Sequence, residues 1–461
     1  MATHPLTGQI LKLGTSGHLR LLELIHQYPG KRWIFRGELD DGQPVAAKIY
    51  SGNLRQGIEW LRGVRGIRHL CRSGIPAPNL EYAGYNREAG GWLAVLEWIS
   101  ADAPWPPDDD PAGTEKHERM LEVLIAHHLA GIQQSDMNPR NFIPRNGQLV
   151  TIDGDRIKKR RAPLGRRRSL NHLVRIYASK SRLPEEELRQ MCRRYSTARG
   201  WPISVPEENR LVETIQRARV DHARQVALRG ARGWKHYPRQ RHGNLEICHD
   251  RRRIPPEQAL ALAQRIAHGE YHGPDSGAFP LPAWQTRVIE SRRPGAAAWI
   301  ADALRRDRVL RTWVNELALR RLGFSVHRNV MMIRRRQGGS AWLLCEPIDA
   351  TPLERCIRAM GSDECERVLQ AIRGLLTDLQ LQRIRHRDMR IDHLGWDGTR
   401  IWLLDAADVF FHPKYLPGFT HRWAAEIDHL AETIARTLGA TPGTIRTAIA
   451  PIGSEPERPR R

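Results

Sequence analysis

Residues 134–155 read QSDMNPRNFIPRNGQLVTIDGD, a polar turn followed by an apolar strand that stops at a carboxylate. Asp136 and Asn141 stand at D-x-x-x-x-N spacing, and Asp153 closes the strand Gln148–Ile152, 17 residues after Asp136. In such a turn an Asp can orient a substrate hydroxyl. An Asn oxygen and a second carboxylate can hold a hard divalent cation such as Mg2+, which prefers oxygen donors and keeps bound water. Working outward, a helix over 117–133 precedes the turn, and the chain after it is helical and very basic to about residue 230. Upstream, residues 31–50 (KRWIFRGELDDGQPVAAKIY) predict two strands joined at Asp41-Gly42, a strong hairpin signal. VAAK places Lys48 on the second strand, and Glu59 follows in a helix over Gly57–Leu70. Gly-Ile-Pro-Ala-Pro (74–78) then breaks the chain before a buried strand, Trp92–Ile99, that carries Glu97.

The same succession returns after about residue 280. A helix near 310–322 ends at Gly323, and a strand AWLLCEPI (341–348) follows. A helix at 362–382, a turn HRDMRIDH and a strand TRIWLL ending at Asp405 complete it. From Asp388 to Asp405 is again 17 residues, Glu346 to Asp388 is 42 against 39 for Glu97 to Asp136, and Gly323 to Asp388 is 65 against 62 for Gly74 to Asp136. Matched intervals of this kind predict two copies of one fold, over residues 1–230 and 231–461. Breaks at 101–116, 237–257 and 271–284 and the polar tail from 451 read as turn-rich or frayed.

Composition narrows the classes. The chain of 461 residues carries 73 Lys+Arg against 51 Asp+Glu, a net charge of +22, with 40% apolar and 27% charged residues. That is a globular balance, and no stretch approaches the roughly 18 apolar residues of a spanning helix. The N-terminus lacks an apolar secretion signal. Six scattered cysteines without a C-x-x-C pair argue against a disulfide scaffold or a structural zinc site and fit a reducing cytoplasm. The excess charge is almost all arginine, since only nine lysines occur. It reflects either coding bias or an anionic partner. The run RIKKRRAPLGRRR (156–168), with eight basic residues, reads as a solvated mobile loop or as a cradle for phosphates or an anionic membrane surface. Tryptophans in the tract 281–314 read as core, and His127, His128, His242 and His249 show no metal-ligand spacing. No helix-turn-helix, zinc-finger or RNA-binding signature is present, so nucleic acid is not an expected partner.

VAAK, GIPAP, SDMNPRN and TIDGD together resemble the lipopolysaccharide core kinase family, bacterial enzymes that phosphorylate Kdo or heptose and share the protein-kinase fold. Asp136, Asn141, Asp153 and Asp155 match its H-x-D-x-x-x-x-N and ID-x-D motifs, with Gln134 where the His is usual. The second copy is similar to the heptose-kinase branch: His386-Arg387-Asp388-Met389-Arg390-Ile391-Asp392-His393 fits H-R-D-x-x-x-x-H. Two departures stand out. There is no G-x-G-x-x-G loop, only Gly30 and Gly37 around the first strand, and no lysine lies between Lys235 and Lys414. The segment matching the lysine strand would be GAAAWIA, with Trp299 or Ala301 at that place.

The resemblance implies an α+β chain of two tandem bilobal domains, each with a small β-rich N-lobe and a helical C-lobe. In the first, Lys48 and Glu59 would form the strand–helix ion pair, Glu97 would lie beside the nucleotide, Asn141 and Asp153 would hold magnesium, and Asp136 would serve the acceptor hydroxyl. In the second, Glu316 would be the helix acid, Asp388 the catalytic position, and His393 and Asp405 the metal positions of a pseudokinase. The implied reaction is ATP-dependent phosphoryl transfer to a sugar hydroxyl of the lipopolysaccharide core or a lipid A-linked glycan. It would take place in the cytoplasm, with a peripheral position on the anionic inner membrane surface as a further reading. A non-catalytic pair of pseudokinases scaffolding envelope assembly, and an atypical Ser/Thr protein kinase, stand as the alternatives.

Overall fold

The computed structural model describes the chain apart from residues 1–3, 16, 29, 103–112, 181–182, 235, 270–284, 289–307, 336–340, 413–417 and 452–461. Its contacts divide it into two units, Met1–Tyr177 with Leu183–Thr214 and Ala178–Arg182 with Ile215–Arg461. Both mix helices with antiparallel sheet, so the chain is α+β. The sequence intervals place the boundary at residue 230; the contacts place it within the helix Val205–Ala231.

The first unit is led by a six-stranded sheet. Strands β1 (Ile10–Lys12), β2 (His18–Tyr28), β3 (Arg32–Leu39), β4 (Pro44–Ser51), β5 (Leu80–Asn86) and β6 (Gly91–Glu97) are ordered β1-β2-β3-β4-β6-β5, every pair antiparallel. Gly42, at φ 80°, turns β3 into β4 as the Asp-Gly signal predicts. Side chains alternate across a strand, so Val45, Ala47 and Ile49 of β4 enter an apolar core with Leu19, Phe35 and Leu93. Lys48 and Tyr50 therefore take the other face. Helix α1 (Leu54–Arg72) joins β4 to β5, its first turn capped by the Asn53 side chain accepting from the Gln56 amide at 2.9 Å. It closes with Gly74 at φ 68° and the Ile75 amide donating to Leu70 O, a 6→1 cap.

Helix α2 (Gly113–Leu129) stops four residues before the sequence expectation, because Gly131 at φ 71° turns the chain into β7 (Ile132–Gln134). The hairpin β8 (Phe142–Arg145) and β9 (Gln148–Thr151) follows, and then β10 (Ile157–Lys159), which pairs with β7. The basic run is thus a strand, an irregular segment over 160–165 and the start of helix α3 (Arg166–Lys180): its basic residues are exposed, as a solvated run requires, while the Arg160 amide donates to Gly131 O and Leu164 is buried. Helices α4 (Glu185–Ala198) and α5 (Val205–Ala231) follow.

In the second unit β11 (Arg239–His242), β12 (Leu245–His249), β13 (Gln285–Val288), β14 (Asn329–Arg335) and β15 (Ala341–Cys345) form an antiparallel sheet ordered β11-β12-β14-β15-β13. The stretch 237–257, expected to be a turn-rich break, holds the hairpin β11–β12, because Ile247 and Cys248 are fully buried and β12 pairs with β14. Helix α6 (Pro256–Ala267) follows it, and helix α7 (Arg308–Leu322) precedes β14. After short β16 (Thr351–Pro352) and α8 (Leu353–Cys356), helix α9 (Ser362–Leu381) buries Val368, Ile372, Leu376 and Leu379, the i, i+4 stripe its sequence predicts. Strand β17 (Ile384–His386), the pair β18 (Leu394–Trp396) and β19 (Ile401–Leu403), and β20 (Val409–Phe411) lead to helices α10 (Phe419–Leu438) and α11 (Pro442–Ile449). No described helix is long and apolar enough to cross a membrane. All six cysteines are free. The expected breaks at 101–116 and 271–284, the tail and most of the tract 281–314 fall wholly or partly outside the described residues, though Trp313 is fully buried.

Candidate functional site

Strand alternation aims Lys48 away from the sheet core and toward the end of β9. Its Nζ donates to Ile152 O at 3.1 Å and lies 3.7 Å from Asp153 Oδ1. Lys48 and Asp153, which the sequence assigns to one site in different roles, are thus brought together. Glu59 is not: it is partly exposed, 3.9 Å from Arg55 one turn back on α1. The reason lies in how closely α1 approaches the turn after Asp153. A Cβ on Gly63 would lie 2.5 Å from Asp155 Oδ1, and one on Gly66 would overlap the backbone of Gly154. The carboxylate pressed between helix and strand is therefore Asp155, bonded by Arg32 of β3 and by the Tyr50 hydroxyl at 3.3 Å. Burial and repulsion from Asp153 lift the Asp155 carboxyl above its ordinary range, although Lys48 and Arg32 pull the other way. Glu97, expected beside a nucleotide, instead bonds Arg145 at 2.6 Å and accepts the Asn79 amide at 3.3 Å. It ties the end of β6 to the β8–β9 hairpin.

The turn around Asp136 is built from backbone bonds, and the turn around Asp388 repeats them. Asn141 Nδ2 donates to Asp136 O at 3.1 Å; His393 Nδ1 lies 2.7 Å from Asp388 O. Gln134 Nε2 reaches Asp153 O at 3.5 Å; His386 Nε2 lies 2.7 Å from Asp405 O. The Ile152 amide donates to Asn141 O at 2.9 Å, as the Leu404 amide does to His393 O at 2.8 Å. The Ser135 amide donates to Arg156 O, and Arg387 to Asp408 O, both at 3.1 Å. The Asp153 and Asp405 carboxylates each accept the amide two residues on, from Asp155 and Ala407. Gln134 thus does with an amide what His386 does with an imidazole.

Charge around the two turns differs. In the first unit Asp136 is exposed and has no basic side chain in ion-pair contact among the described residues. In the second, Asp388 lies 3.3 Å from Arg390 Nε, and the same guanidinium reaches His393 Nε2 at 3.2 Å and Asp392 at 3.2 Å. With Nδ1 turned to Asp388 O, the remaining lone pair of His393 faces Arg390. Asp405 meets Arg308 at 2.9 Å. Burial would raise its carboxyl, but the Ala407 amide and Arg308 more than offset that and hold it below the ordinary value. Arg308 stands 15 residues before Gly323, as Glu59 stands before Gly74, so the helix position that is acidic in one unit is basic in the other. Glu316, expected as the helix acid, is buried and bonded to Asn329 of β14. Its neighbour Asn315 holds the turn, donating to Ala406 O at 2.8 Å and Val409 O at 3.0 Å.

Trp299 and Ala301 lie outside the described residues. The strand beside β15 is β13, where Arg287 pairs with Leu343, three residues before Glu346. Lys48 pairs with Ala94, three residues before Glu97. Arg287 therefore holds the register position of Lys48.

Among the described residues no three His, Cys, Asp or Glu side chains converge to hold a metal by themselves. Asp153 and Asn141 nevertheless fit a magnesium ion that takes its other ligands from water and phosphates. Asn141 spends its amide nitrogen on Asp136 O, leaving its oxygen for another partner, and Asp153 is a carboxylate beside an ammonium. Sequence reasoning did not single out Arg32, Tyr50, Gly63, Gly66, Arg308, Asn315 or Arg390. The Gly63-x-x-Gly66 spacing inside a helix is the signal that could have marked a close backbone approach. No protein-family model matches the chain, and no curated protein matches it.

Proposed function

We propose that the first unit is an ATP-dependent phosphotransferase of protein-kinase-like arrangement acting on a sugar hydroxyl of the lipopolysaccharide core, and that the second is a degenerate copy. The observation that carries this reading is the contrast between two turns of one design. Lys48 faces Asp153 while Asp136 stands unpaired and exposed. In the second unit Arg390 and Arg308 occupy both carboxylates. The sugar acceptor, Kdo or heptose, rests on the resemblance of SDMNPRN and TIDGD alone.

ATP with magnesium supplies the transferable phosphoryl group. Asp153 and Asn141 are the residues that would hold the metal, and Lys48 offsets phosphate charge. Asp136 accepts the hydrogen bond of the acceptor hydroxyl and takes its proton as the new O–P bond forms and ADP leaves. Such catalysis is positioning and electrostatics more than covalent work.

The test is transfer of labelled γ-phosphate from Mg-ATP to purified lipopolysaccharide core lacking phosphate. Label should appear with the native protein and with Asp388→Ala, and fall by roughly 100-fold or more with Asp136→Ala, the range for a lost general base. Loss only in Asp388→Ala would assign the active unit the other way round. One observation favours a second, non-catalytic reading: among the described residues no helix carboxylate pairs with Lys48, since Glu59 turns to Arg55. Nucleotide binding by the folded protein with no transfer from any form would establish that reading instead.

A further inference from the structure

Behind helix α7, within the second unit, lies a cavity of about 680 Å3. That is the size of a small-molecule site. Its floor is apolar, formed by Leu228, Leu310, Val314 and Met332, and one wall is Phe410 and Phe411. Among the described residues six arginines line it against a single carboxylate, Asp408. Arg239 and Arg334 share the buried Glu246, and Arg311 lies 4.0 Å from Asp408. Arg224, Arg232 and Arg387 have no carboxylate in ion-pair contact among the described residues. Arg387 lies over the Phe410 ring at 4.3 Å from its centroid, and Arg224 over Phe411 at 6.0 Å. Glu426, which also feels the charge of Arg387, is already bonded to Arg385.

Guanidinia collected around one cavity repel each other, and an anion entering it removes that repulsion. Arginine binds phosphate through two parallel N–H donors while its face stays on an aromatic ring. Neither Asp388, His393 nor Asp405 lines the cavity. We infer that this cavity is a binding site for a small phosphorylated molecule with an apolar body, the phosphate held by Arg224, Arg232 and Arg387 and the body against Phe410, Phe411 and Met332. Asn315, Ala407 and Asp408 also line it. An occupant thus touches both α7 and the turn that follows Asp405. This inference does not depend on which unit transfers phosphate, or on whether either does.

Calorimetric titration of the full-length protein with 1-naphthyl phosphate tests it. One site per chain is expected, with inorganic phosphate and 1-naphthol each at least tenfold weaker, because each offers only half of the recognition. Arg224→Glu combined with Arg232→Glu should weaken binding at least tenfold, and Lys48→Ala should leave it unchanged. Arg232→Gln with Arg387→Gln gives the same reading should charge reversal disturb the fold seen by circular dichroism. No saturable binding, equal binding by the arginine variants, or loss of binding in Lys48→Ala would each overturn the assignment.

Discussion

Gly66 shows how little a residue's own preference says when another backbone presses on it. A helix-interior glycine costs about 1 kcal/mol relative to alanine. At Gly66 a Cβ would overlap the backbone of Gly154, which cannot retreat without moving Asp153 and Asp155. Gly66→Ala should therefore lower the stability of the first unit by about 3 kcal/mol, the overpacking cost exceeding the propensity gain. Gly374, exposed on α9, has nothing within 4 Å of its Cβ position. Gly374→Ala should stabilise the second unit by up to about 1 kcal/mol. Urea unfolding of both variants checks the opposite signs, and a stabilising Gly66→Ala would mean α1 does not sit against Gly154. The sequence marks Asp155 only as a motif match. Its burial under Arg32 and Tyr50 depends on β3 and β4 lying side by side, which spacing does not reveal.

Among the elements, the turns between β7 and β9 and between β17 and β19 were legible, because their bonds stay within one short stretch of chain, between residues 5 to 19 positions apart for the side-chain bonds of each turn. Asp136, Asn141 and Asp153 fell where their spacing put them, and Asp388, His393 and Asp405 repeated the pattern. The helix partners were not legible. Glu59 and Glu316 were chosen as the acids of α1 and α7, but a helix's rotation about its axis is set by what it packs on. In α7 that rotation turns Asn315 onto the turn and Glu316 onto β14. Asn315→Ala removes two buried bonds, strands Val409 O and leaves Ala406 O only the Val409 amide at 3.3 Å, so the second unit should lose about 2 kcal/mol. Asn315→Asp cannot donate to those carbonyls when ionised and should be no better. A melting midpoint of the second unit unchanged by either substitution would remove Asn315 from this role.

At the scale of the whole molecule, pH dependence exposes a core that the charge count hides. His127, His128 and His172 are buried in the first unit, with His128 lying 2.5 Å from the Tyr195 hydroxyl and 2.8 Å from His172. Burial holds their imidazoles at about 3, about 2 and about 4, below the ordinary 6.5. The unfolded chain thus binds protons between pH 6.5 and 4 that the folded chain refuses. Stability is full above 6.5 and falls as pH drops below it, by roughly 1.4 kcal/mol per pH unit for each imidazole. Thermal melts of the first unit at pH 7.0 and 5.5 should show a marked drop, made shallower by about a third in His172→Gln; a midpoint insensitive to pH would mean these histidines are solvated. By itself the sequence determined the α+β alternation, the Asp41-Gly42 hairpin, the duplicated interval pattern and the two turns at Asp136–Asn141 and Asp388–His393, since each depends on local spacing and turn chemistry. Only the tertiary structure decided that Asp155 lies against α1 while Glu59 of that helix turns to Arg55, that Arg308 and Arg390 occupy the second turn, and that arginines from α5, β11, α7, β14 and the segment after β17 gather around one cavity. Those outcomes depend on which surfaces meet, and side chains far apart in sequence acquire partners only when the packing of strands and helices brings them within a few ångströms.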